Sequence, residues 1–149
     1  MQSINPFDII KAKFPEAVLE ENTNAVIIPK ERFFGVALYL KTHESAFDSL
    51  HCLTAVDRKE RIEVAYIFFS LKNKLKVTLK VNLNNDDLKI ESVSSLWKSA
   101  DWFEREVYDL FGVKFLNHPN LKRILNPEDW QGHPLRKDFT HPNIIKKPQ

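Results

Sequence analysis

The sequence predicts an α+β fold. It reads as a two-layer domain of order α-β-β-α-β-β-β on a five-stranded mixed sheet, then one more helix and an extended, irregular C-terminal arm. Three observations carry that expectation. Helix-period apolar stripes open the chain and recur after Pro29; three strand-like runs follow one another from residue 49 to residue 83; and the composition changes abruptly after Val113.

At the start, Asn5 before Pro6 makes a cap and first-turn pair, Ile9, Ile10 and Phe14 supply a short apolar face, and Pro15 stops the helix. Residues 17–22 and 24–29 read as two short strands around the Asn22–Asn24 turn. After Pro29 a second helix carries Phe33, Ala37 and Leu40 on one stripe, with Phe34 and Leu38 beside it.

Residues 49–57 form the first long strand, mixed in burial. Residues 61–71 set Ile62, Val64, Tyr66 and Phe68 on one face and Ile67, Phe69 and Leu71 on the other, as in a central strand. Residues 74–83 alternate strictly, with Leu75, Val77, Leu79, Val81 and Leu83 inward. Lys74, Lys76, Thr78, Lys80 and Asn82 face outward and read as a solvated face rather than a nucleic-acid patch.

The last helix has Asp101 and Glu104 at capping-box spacing, Phe103, Val107, Leu110 and Phe111 as its apolar face, and Gly112 to end it. Glu104, Arg105, Glu106 and Asp109 are expected to point away from that stripe, with Arg105 pairing with Asp109 one turn on. Glu104 and Glu106 diverge by about 200° on a helix, which argues against an acid–base dyad.

Composition narrows the function. The 149 residues suffice for one domain with a real core, and a net charge of +2 is far from the basic footprint of a nucleic-acid binder. The lone Cys52 reads as a buried small apolar residue; one thiol can neither close an internal disulfide nor hold an iron–sulfur cluster. Three glycines leave nothing from which to build a phosphate-cradling loop. Pro6, Asp8 and Lys11 interrupt any leader-like core, and no run is long enough to span a membrane, so the chain is expected to be cytoplasmic in character.

The small net charge hides an asymmetry between residues 1–113, read as the folded body, and residues 114–149, read as a partner-binding arm. The body has 15 basic and 17 acidic residues, the arm 7 and 3. Five of eight prolines and three of five histidines lie in the arm. His118, His133 and His141 each precede proline, which favours extended backbone over a helical ligand pair and argues against a metal site; His43 and His51 read as structural or exposed. Residues 130–139, WQGHPLRKDF, join an aromatic anchor to alternating charges in a stretch that cannot be regular. Ordering it costs about 1–2 kcal/mol per residue, a cost expected to be offset on a second protein.

Glu104, Arg105, Glu106, Asp109, Gly112, His118, Pro119, Arg123 and Ile124, followed by Trp130, Gly132, Pro134, Leu135, Arg136, Lys137, Asp138 and Phe139, closely resemble the C-subunit, or thirty-kilodalton, family of respiratory complex I. The resemblance runs from residue 101 to 139, and the element order agrees with it. Lys122 where arginine is usual and Thr140 where proline is usual depart from the pattern. Lysine there loses bidentate pairing.

The resemblance implies a peripheral-arm subunit of a proton-translocating NADH-quinone oxidoreductase. Such a subunit binds no cofactor, leaves FMN, iron–sulfur clusters and quinone to other chains, and grips the quinone-site D subunit with its C-terminal arm. The B and I subunits would be neighbours, on the cytoplasmic side of the inner membrane, with membrane contact only through the complex. The nearest alternative is the equivalent subunit of a membrane-bound hydrogenase or of a ferredoxin- or F420-linked complex. A stand-alone small-molecule enzyme and a nucleic-acid module are the rivals from other classes.

Overall fold

The computed structural model describes residues 4–145 and 148. Helix α1 (Pro6–Lys13) starts where the sequence predicts, with the Asn5 carboxamide oxygen accepting from the Phe7 N–H. Strands β1 (Val18–Glu20) and β2 (Ala25–Ile27) form an antiparallel pair, and α2 (Lys30–Thr42) buries Phe33, Val36, Ala37 and Leu40. Leu38, expected near the stripe, is exposed instead.

The long strands are β3 (Ser49–Asp57), β4 (Arg61–Ser70) and β5 (Leu75–Asn84), an antiparallel meander. Strand β2 joins β5 in parallel, so the sheet is mixed, in the order β1-β2-β5-β4-β3. Strand β5 occupies its middle. The helices pack on one face, where Ile62, Val64, Tyr66, Phe68, Leu79, Val81 and Leu83 are fully buried.

Two short strands escape sequence reading: β6 (Lys89–Glu91) and β7 (Lys114–Leu116), paired in parallel beside the main sheet. They flank α3 (Ala100–Phe111). Strand β7 falls beyond the composition change, and with Val113 and Phe115 buried the packed body runs to Leu116.

Helix α3 departs from expectation at its start. Its cap is Ser99, which makes no side-chain capping bond, and Glu104 does not reach back to form a capping box. Gly112 does end it, in the left-handed conformation at φ 81°. Cys52 is half-buried rather than buried.

Candidate partner-binding site

Two carboxylates on α3 organise the chain on either side of it, and neither faces water. Glu104 and Asp109 are both 0% exposed, against the expectation that they point outward. The reason for Glu104 is spacing: Val107 and Phe111 lie three and seven residues on, so it shares their buried face.

Glu104 accepts from the Ser92 hydroxyl at 2.7 Å and the Val93 N–H at 2.8 Å, closing the loop after β6 onto α3. Burial pushes its pKa up to about 7; the bonds from Ser92 and Val93 oppose this, while Asp101 and Glu91 add to it. Its field also reaches the buried Tyr66 hydroxyl. The fully buried ring of His118 lies 3.9 Å away. His118 Nδ1 accepts from the Asn120 N–H, leaving Nε2 to donate to the Asp101 carbonyl at 3.1 Å. That ring therefore holds the first arm residues to the helix.

Asp109 gathers five donors. Arg123 at 2.8 Å and the Asn126 side-chain amide at 3.0 Å bond Oδ1; the N–H groups of Ile124, Leu125 and Asn126 bond Oδ2 at 3.1, 2.8 and 2.9 Å. Burial alone would raise its pKa, but the bonds from Asn126, Arg123 and Leu125 overcome that and hold the carboxyl well below the usual range. The expected Arg105–Asp109 pair is absent. Arg105 instead donates to the carbonyls of Lys122 and Arg123, both at 3.1 Å, and lies over the Trp102 ring.

Arg123 carries the fold onward. Its second terminal nitrogen donates to the carbonyls of Trp130 and Gly132 at 2.8 and 2.7 Å, so one guanidinium links α3 to the WQG turn. His133 Nδ1 donates to the Asp109 carbonyl at 3.0 Å, and its ring packs on Gly112, where an added Cβ would lie 2.7 Å away. Gly112 is thus required by its left-handed backbone and by this close approach. Gly132, also left-handed, gives Phe139 its seat, and the Leu135 N–H donates to the Leu110 carbonyl. His141 stacks between Trp130 and Phe139.

The arm tip is latched to the sheet. Asp57, at the end of β3, accepts from the Lys137 N–H at 2.8 Å with the Arg136 guanidinium 3.7 Å away. The Lys137 bond chiefly draws its pKa down. Much of the ordering of residues 118–139 is therefore supplied within the chain, although the sequence alone suggests that a partner must supply it. Glu106, Pro119, Lys122 and Asp138 stay exposed, and Pro134 is half-buried. Among the described residues no group of three or more His, Cys, Asp or Glu could hold a metal ion, and no helix is long and apolar enough to cross a membrane.

The family profile described as respiratory-chain NADH dehydrogenase, 30 Kd subunit, matches residues 26–143, which takes in the sheet from β2 onward, α3 and the latched arm together. The chain belongs to that family. The NADH-quinone oxidoreductase C subunit of Citrifermentans bemidjiense is 40% identical, over 81% of this chain and 91% of its own length. A joint C/D subunit of the same enzyme from a Psychrobacter species is 35% identical over 85% of this chain, which spans only 23% of that longer protein.

Among solved structures, the trypsin-resistant fragment of Nqo5 matches with a TM-score of 0.67 and 31% identity, covering 74% of this chain and 94% of the fragment. A chain of an archaeal membrane-bound sulfane sulfur reductase matches with a TM-score of 0.75 and 26% identity, covering 88% and 81%. The 30 kDa family is that of a subunit of NADH-quinone oxidoreductase, an enzyme complex.

Of the residues singled out by sequence, Arg105, Gly112, Arg123, Trp130 and Gly132 fall into one connected set around Asp109; Arg136 and Lys137 meet at Asp57, Glu104 and His118 lie on the body side of the helix, and Glu106, Pro119 and Asp138 are exposed. Sequence reasoning misses Asp57, Ser92, Val93 and Asn126. For Asn126 a signal exists, as an Asn-Pro pair marks a turn beside Arg123. For Asp57 none does, since its partner is 80 residues away.

Proposed function

We propose that this chain is the cofactor-free, peripheral-arm C subunit of a proton-translocating NADH-quinone oxidoreductase, scaffolding the quinone-site D subunit while other subunits carry electrons from NADH to quinone. The observation that carries this reading is the arm's build. Asp109 and Asp57 fix its shape, yet Leu125 and Leu135 remain 64% and 53% exposed on it, beside a half-buried Trp130. A rigid, irregular segment presenting apolar side chains already has its ordering entropy reduced before it meets a partner.

The relative that joins C and D in its name supports the D subunit as that partner. The B and I subunits are further neighbours, and the complex holds the chain on the cytoplasmic side of the inner membrane. FMN, iron–sulfur clusters and quinone belong to the other subunits.

The test leaves the fold intact. Deleting the arm would strip Asp109 of its partners, so the informative change is Leu125→Asp with Leu135→Asp on the exposed surface. The tagged double variant is expected to keep its thermal midpoint and to recover less than a tenth of the wild-type amount of the D subunit. Undiminished recovery of the D subunit would refute the scaffold role.

The likeness to the sulfane sulfur reductase chain favours one second reading, the equivalent subunit of a membrane-bound hydrogenase or a ferredoxin- or F420-linked complex. Co-purifying chains with NADH and flavin sites support the first reading; a nickel-site large subunit supports the second.

A further inference from the structure

The helices pack on one face of the five-stranded sheet, and no described element covers the other. Register sets Thr54 beside Ala65 on that open face, Ile67 between Cys52 and Thr78, and Phe69 beside Lys76. The His51 ring packs on Phe69 with centroids 4.2 Å apart. A solvated face of an antiparallel sheet is ordinarily polar along each strand, as β5 is here with Lys76, Thr78, Lys80 and Asn82, whereas β4 sets Ala65, Ile67 and Phe69 in succession on the open face.

The charge on this face is lopsided. Lys80 is held by Glu20 and Glu63. Lys76, beside Phe69 on the face, and Lys72 and Lys74 in the adjoining β4–β5 turn are exposed and enter no ion pair among the described residues.

We propose that this open sheet face is a second docking surface, separate from the arm, and that its occupant is an acidic face with an apolar centre on another protein subunit of the same complex. The proposal rests on the chain's place in such a complex. Three uncompensated lysines beside Ile67 and Phe69 ask for carboxylates around an apolar contact. A second copy of this chain fits poorly, because an isologous contact would bring two uncompensated lysine sets into one interface. A bilayer fits poorly, because the same face holds the Glu20–Lys80–Glu63 ion pairs and offers only two large apolar side chains, Ile67 and Phe69, both half-buried. Nucleic acid fits poorly, because three lysines make a small footprint on a chain of net charge +2.

The experiment is photo-cross-linking in the purified complex. A benzophenone amino acid replaces Thr54 in one full-length variant and Leu135 in another. Position 54 is expected to link to a subunit other than this chain, at a peptide containing Asp or Glu, and K72E/K74E/K76E is expected to cut that yield at least tenfold. No protein adduct from position 54, with position 135 still linking to the D subunit, would overturn this proposal and leave the scaffold role standing. An adduct with a second copy, lipid or nucleic acid would overturn it too, as would a yield unchanged by the triple lysine variant. Adducts from neither position would sink both readings.

Discussion

Glu104 and Asp109 stand five residues apart on one helix, with no exposed surface, yet their pKa values move in opposite directions from the ordinary range. Desolvation acts on both. Glu104 receives two neutral donors and faces two other acids, Asp101 and Glu91; Asp109 receives five donors, one a guanidinium. The count and charge of donors, not depth of burial, decide whether a buried carboxyl keeps its proton. On the body side the helix tolerates a group that can be neutral. On the arm side it uses a fixed negative charge to shape eighteen residues of chain from Asp109 to Asn126.

Arg123→Ala should break this contrast most severely. It leaves an ionised Asp109 enclosed without its cation and frees the Trp130 and Gly132 carbonyls, at a cost of about 3–5 kcal/mol. The denaturant midpoint should fall accordingly and limited proteolysis should cut within 117–139; a loss under about 1 kcal/mol would show that the amides alone hold the charge.

Glu104 gives the next largest effect, through pH. Its folded pKa of about 7 lies above its ordinary value of 4.5, so its contribution is fully present below 4.5 and fades as pH rises through 7. Stability should therefore drop by about 3 kcal/mol between pH 5 and 9 on this account. In Glu104→Gln that slope should flatten; an unchanged slope in chemical denaturation series would assign it to another group.

Gly112→Ala tests the join between the two sides. A left-handed alanine whose Cβ crowds His133 should cost about 1–3 kcal/mol. The nitrogen chemical shifts of His133 should move while those of His118 stay put. Asp57→Asn should be mildest, about 1 kcal/mol, read as faster hydrogen exchange at the Lys137 amide with the Asp109 cluster unaffected.

Much of the fold is legible in the sequence because it is local. The cap at Asn5, the stop at Pro15, the alternation of β5 and the glycine ending α3 each depend on residues within one turn or one strand. Strand β6 is not, because its partner β7 lies beyond α3, so no turn between adjacent runs marks it as Asn22–Asn24 marks the equally short β1 and β2. Glu104 is misplaced when the apolar stripe is read as a boundary, although its i+3 and i+7 neighbours are both apolar. Asp109 is invisible for a different reason. The surface that buries it is the arm, whose own composition suggests contact with another molecule, and only the folded chain shows Arg123 and three amides turned back on the helix.

The sheet order has a kinetic consequence. Strands β3, β4 and β5 are joined by tight turns and can zip together from local pairs. Val26 must find Leu79 across the whole meander, and Asp57 must wait for Lys137. Asp109 meets Arg123 over only 14 residues, a loop of the size that closes in well under about a microsecond. During synthesis α3 therefore emerges with its aspartate bathed in water. That charge is enclosed once Arg123 and Asn126, 14 and 17 residues on, leave the ribosome, and the arm acquires its shape before the tip can search for the far end of β3.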